Sequence, residues 1–467
     1  MDTGKRSPIP PAERGRLGGG PEEESSLHFR KICILGLGYI GLPTASTFAA
    51  NGVKVVGVDV SARVLDTLRS GKIHIHEPGL HDIYEKALTS GNFTISTQPE
   101  EADAFLIAVP TPFHDDKFGE FQGRRYKLAD MRAVISAAEA IVPFLRKGNL
   151  VVLESTSPPL TTAELVAPIL ARSGLQAGRD FHLAYSPERV LPGRILRELI
   201  ENARVIGGIT PESAQAGADL YSVFVKGEIV QTDATTAEMV KLMENTYRDV
   251  NIAIANEFAR LADRFGVDAW EAISLANRHP RVKILNPGPG VGGHCISVDP
   301  WFFVEKAPEL TPLIYSARSV NDAQPKYVME VIRRELCGPD SRPASIKGKR
   351  VAVLGLAYKP DVDDLRESPA IEVVHLLQDE GAKVKAWEPF KPDADLAGID
   401  MASDLESAIK DADLLLLLVA HSQFLGLRPA DLAARTGARK IVDAVNGWDA
   451  AEWRQAGFSV TRLGVGK

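Results

Sequence analysis

The sequence predicts an α/β protein with two Rossmann-like, doubly wound domains joined by a long central helix. A short apolar strand ending in a glycine turn occurs near residue 31 and again near residue 350, each followed by a helix and a second strand that ends at an acid. A third observation is an uninterrupted helical stretch from residue 235 or 236 to about residue 265, which Gly266 ends.

Composition limits the possible functions. The 467 residues are 45% hydrophobic and 25% charged, a soluble composition long enough for two or three domains. A net charge of −7 gives no basic footprint for nucleic acid. No apolar run approaches the roughly 18 residues of a membrane span, and the longest, Leu414 to Ala420, fits a buried strand. We therefore expect neither nucleic acid nor a membrane as a partner.

The cysteines are few and scattered. Cys33, Cys295 and Cys337 cannot build a disulfide framework or a metal cluster, so we expect no metal and a reducing cytoplasm. The first 28 residues are rich in Gly, Pro, Glu and Arg and lack a signal-peptide core, which predicts a disordered tail.

The first ordered segment has the pattern of a dinucleotide site. The strand Lys31 to Leu35 runs into a GxGxxG turn, followed by a helix to Asn51 and a strand ending at Asp59. The turn consists of Gly36, Leu37, Gly38, Tyr39, Ile40 and Gly41. The helix N-terminus suits a pyrophosphate and the acid suits the ribose hydroxyls of NAD, although Arg63 leaves NADP open.

Polar residues follow later strands of the same half. The strand Ala104 to Val109 precedes Thr111, the strand Leu150 to Leu153 precedes Thr156, and a third such segment carries Glu188. Ligands of open α/β sheets bind beyond the carboxyl ends of strands, so both threonines are expected on the nicotinamide side. Turn or helix capping is an equally common role for threonine at such positions, and a lone glutamate there is often solvated.

The central helix is apolar on more than one face, which indicates a connector that also forms a dimer interface. Lys241 and Asn245 are four residues apart and share a face, where they are either solvated or directed at a site.

The segment from Gly288 to Pro300 has four glycines in six positions, then Cys295 and, four residues later, Asp299. A glycine turn ahead of a buried structural cysteine is the commoner explanation for such a segment taken alone. The adjacent His294 is discounted as a base, because neighbouring residues point apart in regular structure.

The second half repeats the first without GxGxxG. A strand from Arg350 leads into Gly355, and a helix from Ala370 to Glu380 precedes a strand that ends at Glu388. An insertion of about ten residues, 359–368, separates the glycine turn from the helix. This half therefore holds a different nucleotide or none.

Together these segments identify a resemblance. The motifs GLGYIGLPTA, IAVPTPF, LESTSP, YSPERVLPG, TAEMVKL, ANRHPRV, GPGVGGHC and KPDVDDLRESPA resemble those of the nucleotide-sugar 6-dehydrogenases, the family of UDP-glucose dehydrogenase. The resemblance covers nearly everything after residue 30 and implies a bacterial cytoplasmic enzyme. It implies a tail at 1–28, an NAD-binding domain at 29–232, a central helical dimerisation domain with the cysteine loop at 233–330, and a UDP-sugar-binding domain at 331–467.

The resemblance also implies a mechanism. Family members oxidise a sugar C6 alcohol to a carboxylate in two NAD-dependent steps, through a cysteine thiohemiacetal and a thioester that water hydrolyses. Cys295 would be the nucleophile, and Lys241 would lower its pKa and stabilise the oxyanion beside Asn245. Asp299 with Thr156 would hold a water, and Glu188 would assist near C6 or in hydrolysis.

The implied binding residues follow from the same motifs. Arg281 would extend across a dimer into the neighbouring site, and Lys359 and Arg366 would reach back from the C-terminal half. The implied substrate-binding residues are Glu188, Arg189, Val190, Lys241, Asn245, Arg281, Gly292 and Lys359. The implied cofactor-binding residues are Gly36, Gly38, Tyr39, Ile40, Gly41, Asp59, Arg63, Thr111, Thr156 and Arg366.

One departure bears on the substrate. UDP-glucose-oxidising members usually carry a second glutamate four residues after the position of Glu188, where this chain has Pro192. The run from Arg189 to Gly193 is similar to that of members that oxidise N-acetylmannosamine. The resemblance thus implies UDP-N-acetyl-D-mannosamine, a UDP-N-acetylhexosamine. UDP-N-acetylglucosamine, or a non-catalytic nucleotide-sugar-binding protein of the same fold, stays open.

Overall fold

A computed structural model describes residues 29–75, 77–293, 295–338 and 345–466. The predicted tail at 1–28 and His294 lie outside the described residues.

The first half is built on an eight-stranded sheet. Its strands are β1 (Lys31–Leu35), β2 (Lys54–Val58), β3 (Phe93–Ser96), β4 (Ala104–Ile107), β7 (Leu150–Leu153), β8 (His182–Tyr185), β9 (Arg204–Gly208) and β10 (Ile229–Asp233). They lie in the order β10-β9-β8-β7-β4-β1-β2-β3 among the described residues. The neighbours are parallel except β8 and β9, which pair antiparallel. The order reverses at β1 and β4, the position where doubly wound sheets bind ligands.

Helices cover both faces of this sheet. They are α1 (Gly41–Ala50), α2 (Ala62–Arg69), α3 (Leu80–Thr89), α4 (Arg132–Ile141), α5 (Ala167–Leu170), α6 (Ile195–Glu201) and α7 (Pro211–Tyr221), with short 3₁₀ turns at Val142–Phe144 and Ala171–Ser173 and a π-helical stretch at Thr161–Val166. Because both faces are covered, the inner strands read as continuous apolar runs, and β4 and β7 are buried at every residue.

The sequence did not predict a polar hairpin in the segment between β4 and β7. Strands β5 (Phe113–Phe121) and β6 (Arg124–Ala129) pair antiparallel directly after the loop that follows β4. Its tip is Gln122 and Gly123, both at positive φ. The charged residues of this segment gave no apolar alternation, which is the usual signal of a strand.

The predicted central helix is α8 (Ala234–Phe265), 32 residues and therefore about 48 Å long. Its N-cap is Asp233, two or three residues before the predicted start, and the Asp233 carboxylate accepts a hydrogen bond from the amide of Thr236 at 2.8 Å. Gly266 ends the helix in the left-handed conformation, as predicted. Packed around it are α9 (Ala269–Ala276), α10 (Asp299–Lys306), α11 (Pro312–Asp322) and α12 (Gln324–Cys337).

The second half holds a five-stranded parallel sheet in the order β12-β11-β13-β14-β15 among the described residues. The strands are β11 (Arg350–Leu354), β12 (Lys383–Trp387), β13 (Leu414–Leu417), β14 (Lys440–Asp443) and β15 (Ser459–Arg462). Its helices are α13 (Pro369–Asp379), α14 (Leu405–Ile409), α15 (Ser422–Leu425), α16 (Pro429–Arg435) and α17 (Ala450–Gln455). Two doubly wound sheets joined by a long helix confirm the predicted fold class.

The two halves repeat one local device. The amide of Gly36 donates to the carbonyl of Val58, and the amide of Gly355 donates to that of Trp387. Both glycines have φ near +90°. In the second half, however, Glu388 is fully buried and accepts hydrogen bonds from the amides of Leu356 and Ala357. That carboxylate therefore stabilises the fold internally.

Candidate active site

The GxGxxG turn forms a cradle that fits a pyrophosphate. A Cβ at Gly36 would lie 2.4 Å from the carbonyl oxygen of Ala108, and one at Gly41 would lie 1.8 Å from that of Gly36. A Cβ at Gly38 would meet no atom within 4 Å. The outer glycines thus permit close backbone packing, whereas the middle one faces open space at the amino end of α1. Ile40 is the N-cap of that helix and makes no side-chain cap hydrogen bond.

Asp59 holds the loops around this cradle. Its Oδ2 accepts from the amide of Leu37 at 2.9 Å, and its Oδ1 accepts from that of Ser61 at 2.8 Å. Each carboxylate oxygen retains a lone pair, so the group can still accept from ribose hydroxyls. Arg63 lies on the first turn of α2 and is exposed.

The loops after β4 and β7 meet, which brings Thr111 and Thr156 together. The hydroxyl of Thr111 donates to the carbonyl of Thr156 at 2.7 Å. Beside them, Ser155 Oγ donates to the carbonyl of Val109 at 2.7 Å and accepts from its amide at 3.0 Å. The hydroxyl of Thr111 therefore links the two loops, which is neither a local turn nor a helix cap.

Cys295, Lys241, Asn245 and Asp299 converge on one buried site. Asp299 opens α10 and is 1% exposed; Lys241 and Asn245, one turn apart on α8, are each 8% exposed. The Nδ2 of Asn245 donates to Asp299 Oδ2 at 2.5 Å, and the amide of Asp299 donates to the carbonyl of Cys295 at 2.8 Å. The helix face shared by Lys241 and Asn245 is thus directed at a site.

Burial governs the titration of this cluster. It raises the pKa of the Cys295 thiol to about 11, although the Lys241 ammonium lowers it and the Asp299 carboxylate raises it further. Burial likewise raises the pKa of Asp299 to about 6, against the opposing effects of Lys241 and Asn245. Lys241 thus acts in the expected direction, but the loss of water outweighs it, so the net change in the thiol pKa is upward.

A segment of the second half crosses over the cysteine loop. A Cβ at Gly292 would lie 2.6 Å from the carbonyl oxygen of Glu367, and one at Gly293 would lie 2.9 Å from the ring of Tyr358. The amide of Gly293 also donates to the carbonyl of Arg366 at 3.2 Å. We call residues 358–369 the crossing segment. Because Gly292 and Gly293 have no Cβ, the crossing segment can pack closely against the cysteine loop.

The crossing segment also reaches the cofactor cradle. The Arg366 guanidinium donates to Asp364 through Nε at 2.9 Å and Nη2 at 2.7 Å, and it lies 4.8 Å from the ring centroid of Tyr39. Lys359 is half-buried, and burial lowers its pKa. Asp364 was not predicted as a site residue, although it belongs to the KPDVDDLRESPA motif.

The structure places Glu188 in a different cluster from Cys295. Its Oε2 accepts from Nη2 of Arg204 at 2.5 Å, and its Oε1 accepts from the amide of Arg189 at 2.7 Å. Arg189 in turn pairs with Glu244 on α8 at 2.8 Å, and Val190 packs against the core of the first half. Arg204 was not predicted as a site residue, because no sequence motif around it distinguishes it from other arginines at strand ends.

Glu77 is a second residue of this region that was not predicted. This buried carboxylate accepts from the amides of Gly193 and Ile195 at 2.8 Å each, which fixes the loop that contains Pro192. It stands just before Pro78 and Gly79, a turn signal that could have drawn attention to it.

Arg281 lies in an exposed stretch, 278–283, and its role across a dimer stays a prediction. The part of the chain that the structure describes has no group of three or more His, Cys, Asp or Glu placed to hold a metal ion. No helix in that part has the length and hydropathy to cross a bilayer.

Comparison with known proteins matches three successive parts of the chain to one family. Residues 30–225 match the NAD binding domain of the UDP-glucose/GDP-mannose dehydrogenase family, residues 235–323 its central domain, and residues 352–450 its UDP binding domain.

Individual relatives span almost the whole chain. A UDP-N-acetyl-D-mannosamine dehydrogenase from Methanococcus aeolicus is 44% identical over 96% of this chain and 98% of that protein. An NDP-N-acetyl-D-galactosaminuronic acid dehydrogenase from Ralstonia nicotianae is 46% identical over 91% of this chain and 97% of that protein. The structure of a UDP-D-ManNAc dehydrogenase from Pyrococcus horikoshii superposes with a TM-score of 0.83 at 38% identity, covering 93% and 99% of the two chains.

Proposed function

Because the chain belongs to the UDP-glucose/GDP-mannose dehydrogenase family and is an NAD-dependent nucleotide-sugar dehydrogenase, we propose that it oxidises UDP-N-acetyl-D-mannosamine at C6. The product is UDP-N-acetyl-D-mannosaminuronate, formed by two successive oxidations. The relatives from Methanococcus aeolicus and Pyrococcus horikoshii, named for this sugar, support the substrate. The observation that carries the thiol mechanism is the convergence of Cys295 with Lys241 and Asp299 in one buried site.

The chemistry divides between the cofactor and the side chains. When bound, NAD supplies the hydride acceptor for both oxidations. Lys241 stabilises the negative charge that develops on the C6 oxygen. Asp299 is suited to move protons near neutral pH, since its pKa is about 6. The thiol of Cys295 forms a thiohemiacetal with the C6 aldehyde and carries the thioester after the second oxidation.

A neutral resting thiol fits this sequence of steps. A thiol with a pKa of about 11 is protonated at pH 7, so bond formation to the aldehyde carbon requires that its proton leave at the same time. The Asp299 carboxylate is close enough to raise the thiol pKa and is the acceptor we assign to that proton. Thr156 with Asp299 holds the water for hydrolysis.

The other predicted site residues divide into two groups. We assign Gly36, Gly38, Tyr39, Ile40, Gly41, Asp59, Arg63, Thr111 and Arg366 to the cofactor, and Glu188, Arg189, Val190, Arg281, Gly292 and Lys359 to the nucleotide sugar; Glu188 also assists near C6 or in hydrolysis. The open space beside Gly38 and the stacking of Arg366 on Tyr39 support the cofactor group. The domain limits at 29–232, 233–330 and 331–467 are proposed on the agreement of three family segments with three consecutive stretches.

We assign a homodimer to the exposed face of α8. Seven apolar residues of this face are between 39% and 73% exposed: Met239, Met243, Tyr247, Ile254, Phe258, Leu261 and Phe265. Their spacings of three, four or seven residues place them in one stripe along the helix. A contiguous apolar stripe of this length is typical of a protein interface.

One observation favours a second substrate. The relative from Ralstonia nicotianae, named for N-acetyl-D-galactosaminuronic acid, is as similar as those named for N-acetylmannosamine. The two sugars differ in configuration at ring carbons, and the thiol chemistry at C6 does not distinguish between these configurations.

The test is the amount of NADH formed per sugar consumed. The enzyme is incubated in parallel with the UDP derivatives of N-acetylmannosamine, N-acetylglucosamine and N-acetylgalactosamine. Two NADH per sugar with the first substrate alone supports the proposal. One NADH with release of an aldehyde contradicts the thioester route, and turnover confined to another sugar contradicts the substrate.

A further inference from the structure

A buried ionic cluster lies beside the site at the carboxyl edge of the first sheet. Arg204 is 5% exposed, Glu154 3%, and Ser186 and Tyr221 are fully buried. Of its charged members, only Glu188 has a place in the mechanism above. Removing charged groups from water is costly even when they are paired. A buried ionic cluster of this kind is therefore a candidate for a functional role.

Arg204 makes three contacts with this cluster. Its Nη2 donates to Glu188 Oε2 at 2.5 Å and its Nη1 donates to Ser186 Oγ at 3.3 Å. The guanidinium carbon lies 4.1 Å from the ring centroid of Tyr221. The guanidinium is thus fixed on one side by stacking and on its edge by hydrogen bonds.

These contacts fix the Glu188 carboxylate. Arg204 occupies a lone pair of Oε2, and the amide of Arg189 occupies one of Oε1 at 2.7 Å. With both oxygens held, the carboxylate cannot rotate, and its remaining lone pairs keep one direction. The Glu188 side chain retains 10% exposure, so these lone pairs are still accessible to water.

Glu154 is the second carboxylate near the same cation. Its Oε1 accepts from the Tyr221 hydroxyl at 2.5 Å and lies 3.9 Å from Nη1 of Arg204, and its Oε2 has no hydrogen-bond partner among the described residues. Burial raises the pKa of Glu154 to about 7, against the opposing effects of Arg204 and Tyr221. Near neutral pH, Glu154 is therefore partly protonated, and the Arg204 charge is balanced chiefly by Glu188.

We propose that Arg204 is a positioning residue that holds the Glu188 carboxylate in a fixed orientation for hydrolysis of the thioester. The proposal rests on the proposed function. In this step the oxygen of water bonds to the C6 acyl carbon, the carbon–sulfur bond breaks, and its electron pair goes to Sγ of Cys295. One proton of the water passes to Glu188, the other ends on Sγ as the thiol is restored, and the uronate is released.

The test separates the oxidations from hydrolysis. Arg204→Met, Arg204→Lys and a control, Arg197→Met, are mixed rapidly with UDP-N-acetylmannosamine and NAD. Arg197 forms an exposed ion pair with Glu201, so its variant is expected to behave as the parent enzyme. NADH is followed through the first turnover, and the acyl adduct on Cys295 is measured by intact-protein mass spectrometry.

For Arg204→Met we expect a burst of two NADH per active site, a steady-state rate lower by roughly a hundredfold, and accumulation of the adduct. Arg204→Lys keeps the charge and is expected to recover part of the rate, since it loses the planar double donation. A merely structural role would not produce a burst followed by a trapped adduct.

Three results would overturn the inference. The first is steady turnover of Arg204→Met at the parent rate without an adduct. The second is equal loss of the burst and of steady turnover. The third is full recovery of turnover in the double variant Arg204→Met/Glu154→Gln, which removes two buried charges together. Cys295→Ala separates failure of this inference from failure of the proposed function. Turnover in that variant would contradict the proposed thiol mechanism, whatever the result for Arg204.

Discussion

Burial and charge oppose each other at the proposed nucleophile. The half-buried thiol of Cys295 is influenced by two cations, Lys241 and Arg366, and by two carboxylates, Asp299 and Asp364. Because desolvation penalises the charged form, the neighbouring Lys241 reduces the penalty without reversing it. At neutral pH the thiol of Cys295 is therefore predominantly protonated.

The alkylation of Cys295 by iodoacetamide should follow its raised pKa of about 11. The thiolate fraction grows tenfold per pH unit below that value, so we expect the rate to rise about tenfold per unit between pH 7 and pH 9.5. Lys241→Ala should slow the reaction at every pH. Peptide mass spectrometry assigns the rate to Cys295, with Cys337 as the internal reference; a rate that levels off below pH 8 would contradict the raised pKa.

Asp299 should reduce stability at alkaline pH. Its folded-state pKa is about 6 against an ordinary 3.8, so its contribution to stability is fully present below about pH 4 and is lost as pH rises through 6. That difference corresponds to about 3 kcal/mol at pH 8. We expect Asp299→Asn to raise the melting temperature by a few degrees at pH 8, to leave it unchanged at pH 4, and to abolish turnover.

The carboxylate of Asp180, whose side chain is 12% exposed, provides the matched control for this variant. Hydrogen bonds from Arg179 hold the pKa of Asp180 at about 2, which is a shift of the opposite sign. Asp180→Asn should therefore lower the melting temperature at pH 8. If Asp299→Asn is also less stable than the parent at pH 8, Lys241 and Asn245 offset the cost of burying the ionised carboxylate, and the raised pKa of Asp299 is contradicted.

Among the elements, the cysteine loop and the crossing segment depend on each other. Gly292 and Gly293 leave no room for side chains beneath Glu367 and Tyr358, while Arg366 of the same segment stacks on Tyr39 of the cofactor cradle. Ser422 also fixes this segment, since its amide and hydroxyl donate to Asp361 at 2.9 and 2.7 Å. The two sheets therefore meet at the site through ten or so residues that belong to neither.

Gly292→Ala should displace the crossing segment. A Cβ there would lie 2.6 Å from a backbone oxygen, which cannot move without the segment. We expect a loss of about 1–3 kcal/mol in the free energy of unfolding and at least a tenfold fall in turnover. Gly288→Ala is the control in the same loop, because its Cβ would meet no atom within 4 Å. Equal activity of the two variants would contradict the close contact; steady-state kinetics and thermal melts provide the measurement.

The long helix α8 links the catalytic cluster to the outer surface of the whole molecule. Lys241 and Asn245 lie on its buried face, and the apolar stripe from Met239 to Phe265 lies on its exposed face. An interface along this stripe would place the exposed stretch 278–283, with Arg281, where a second subunit could receive it. Assembly and activity should therefore be coupled.

Charges placed on the stripe should separate the subunits. We expect Tyr247→Asp combined with Phe258→Asp to convert a dimer into monomers at micromolar concentration and to lower turnover, because a buried unpaired carboxylate is costly at an interface. Light scattering coupled to size exclusion gives the mass. Leu425→Asp, an exposed apolar position on the second half, should leave it unchanged. A parent enzyme that is monomeric and fully active would contradict the interface.

The sequence by itself determined those features that depend on local spacing. Periodicity and turn chemistry within a few residues predict the strand, glycine turn and acid of the cofactor half. They also predict the limits of α8 to within two residues and the helix face that Lys241 and Asn245 share.

Only the tertiary structure decided which distant groups meet. Arg204 reaches the carboxyl edge of the sheet because β9 runs antiparallel to β8, and strand direction cannot be read from an apolar run. The glycines of the cysteine loop accommodate a segment some seventy residues away, and the pKa of Cys295 depends on how much water that packing excludes. Proximity and desolvation are properties of the assembled chain, so no local pattern encodes them.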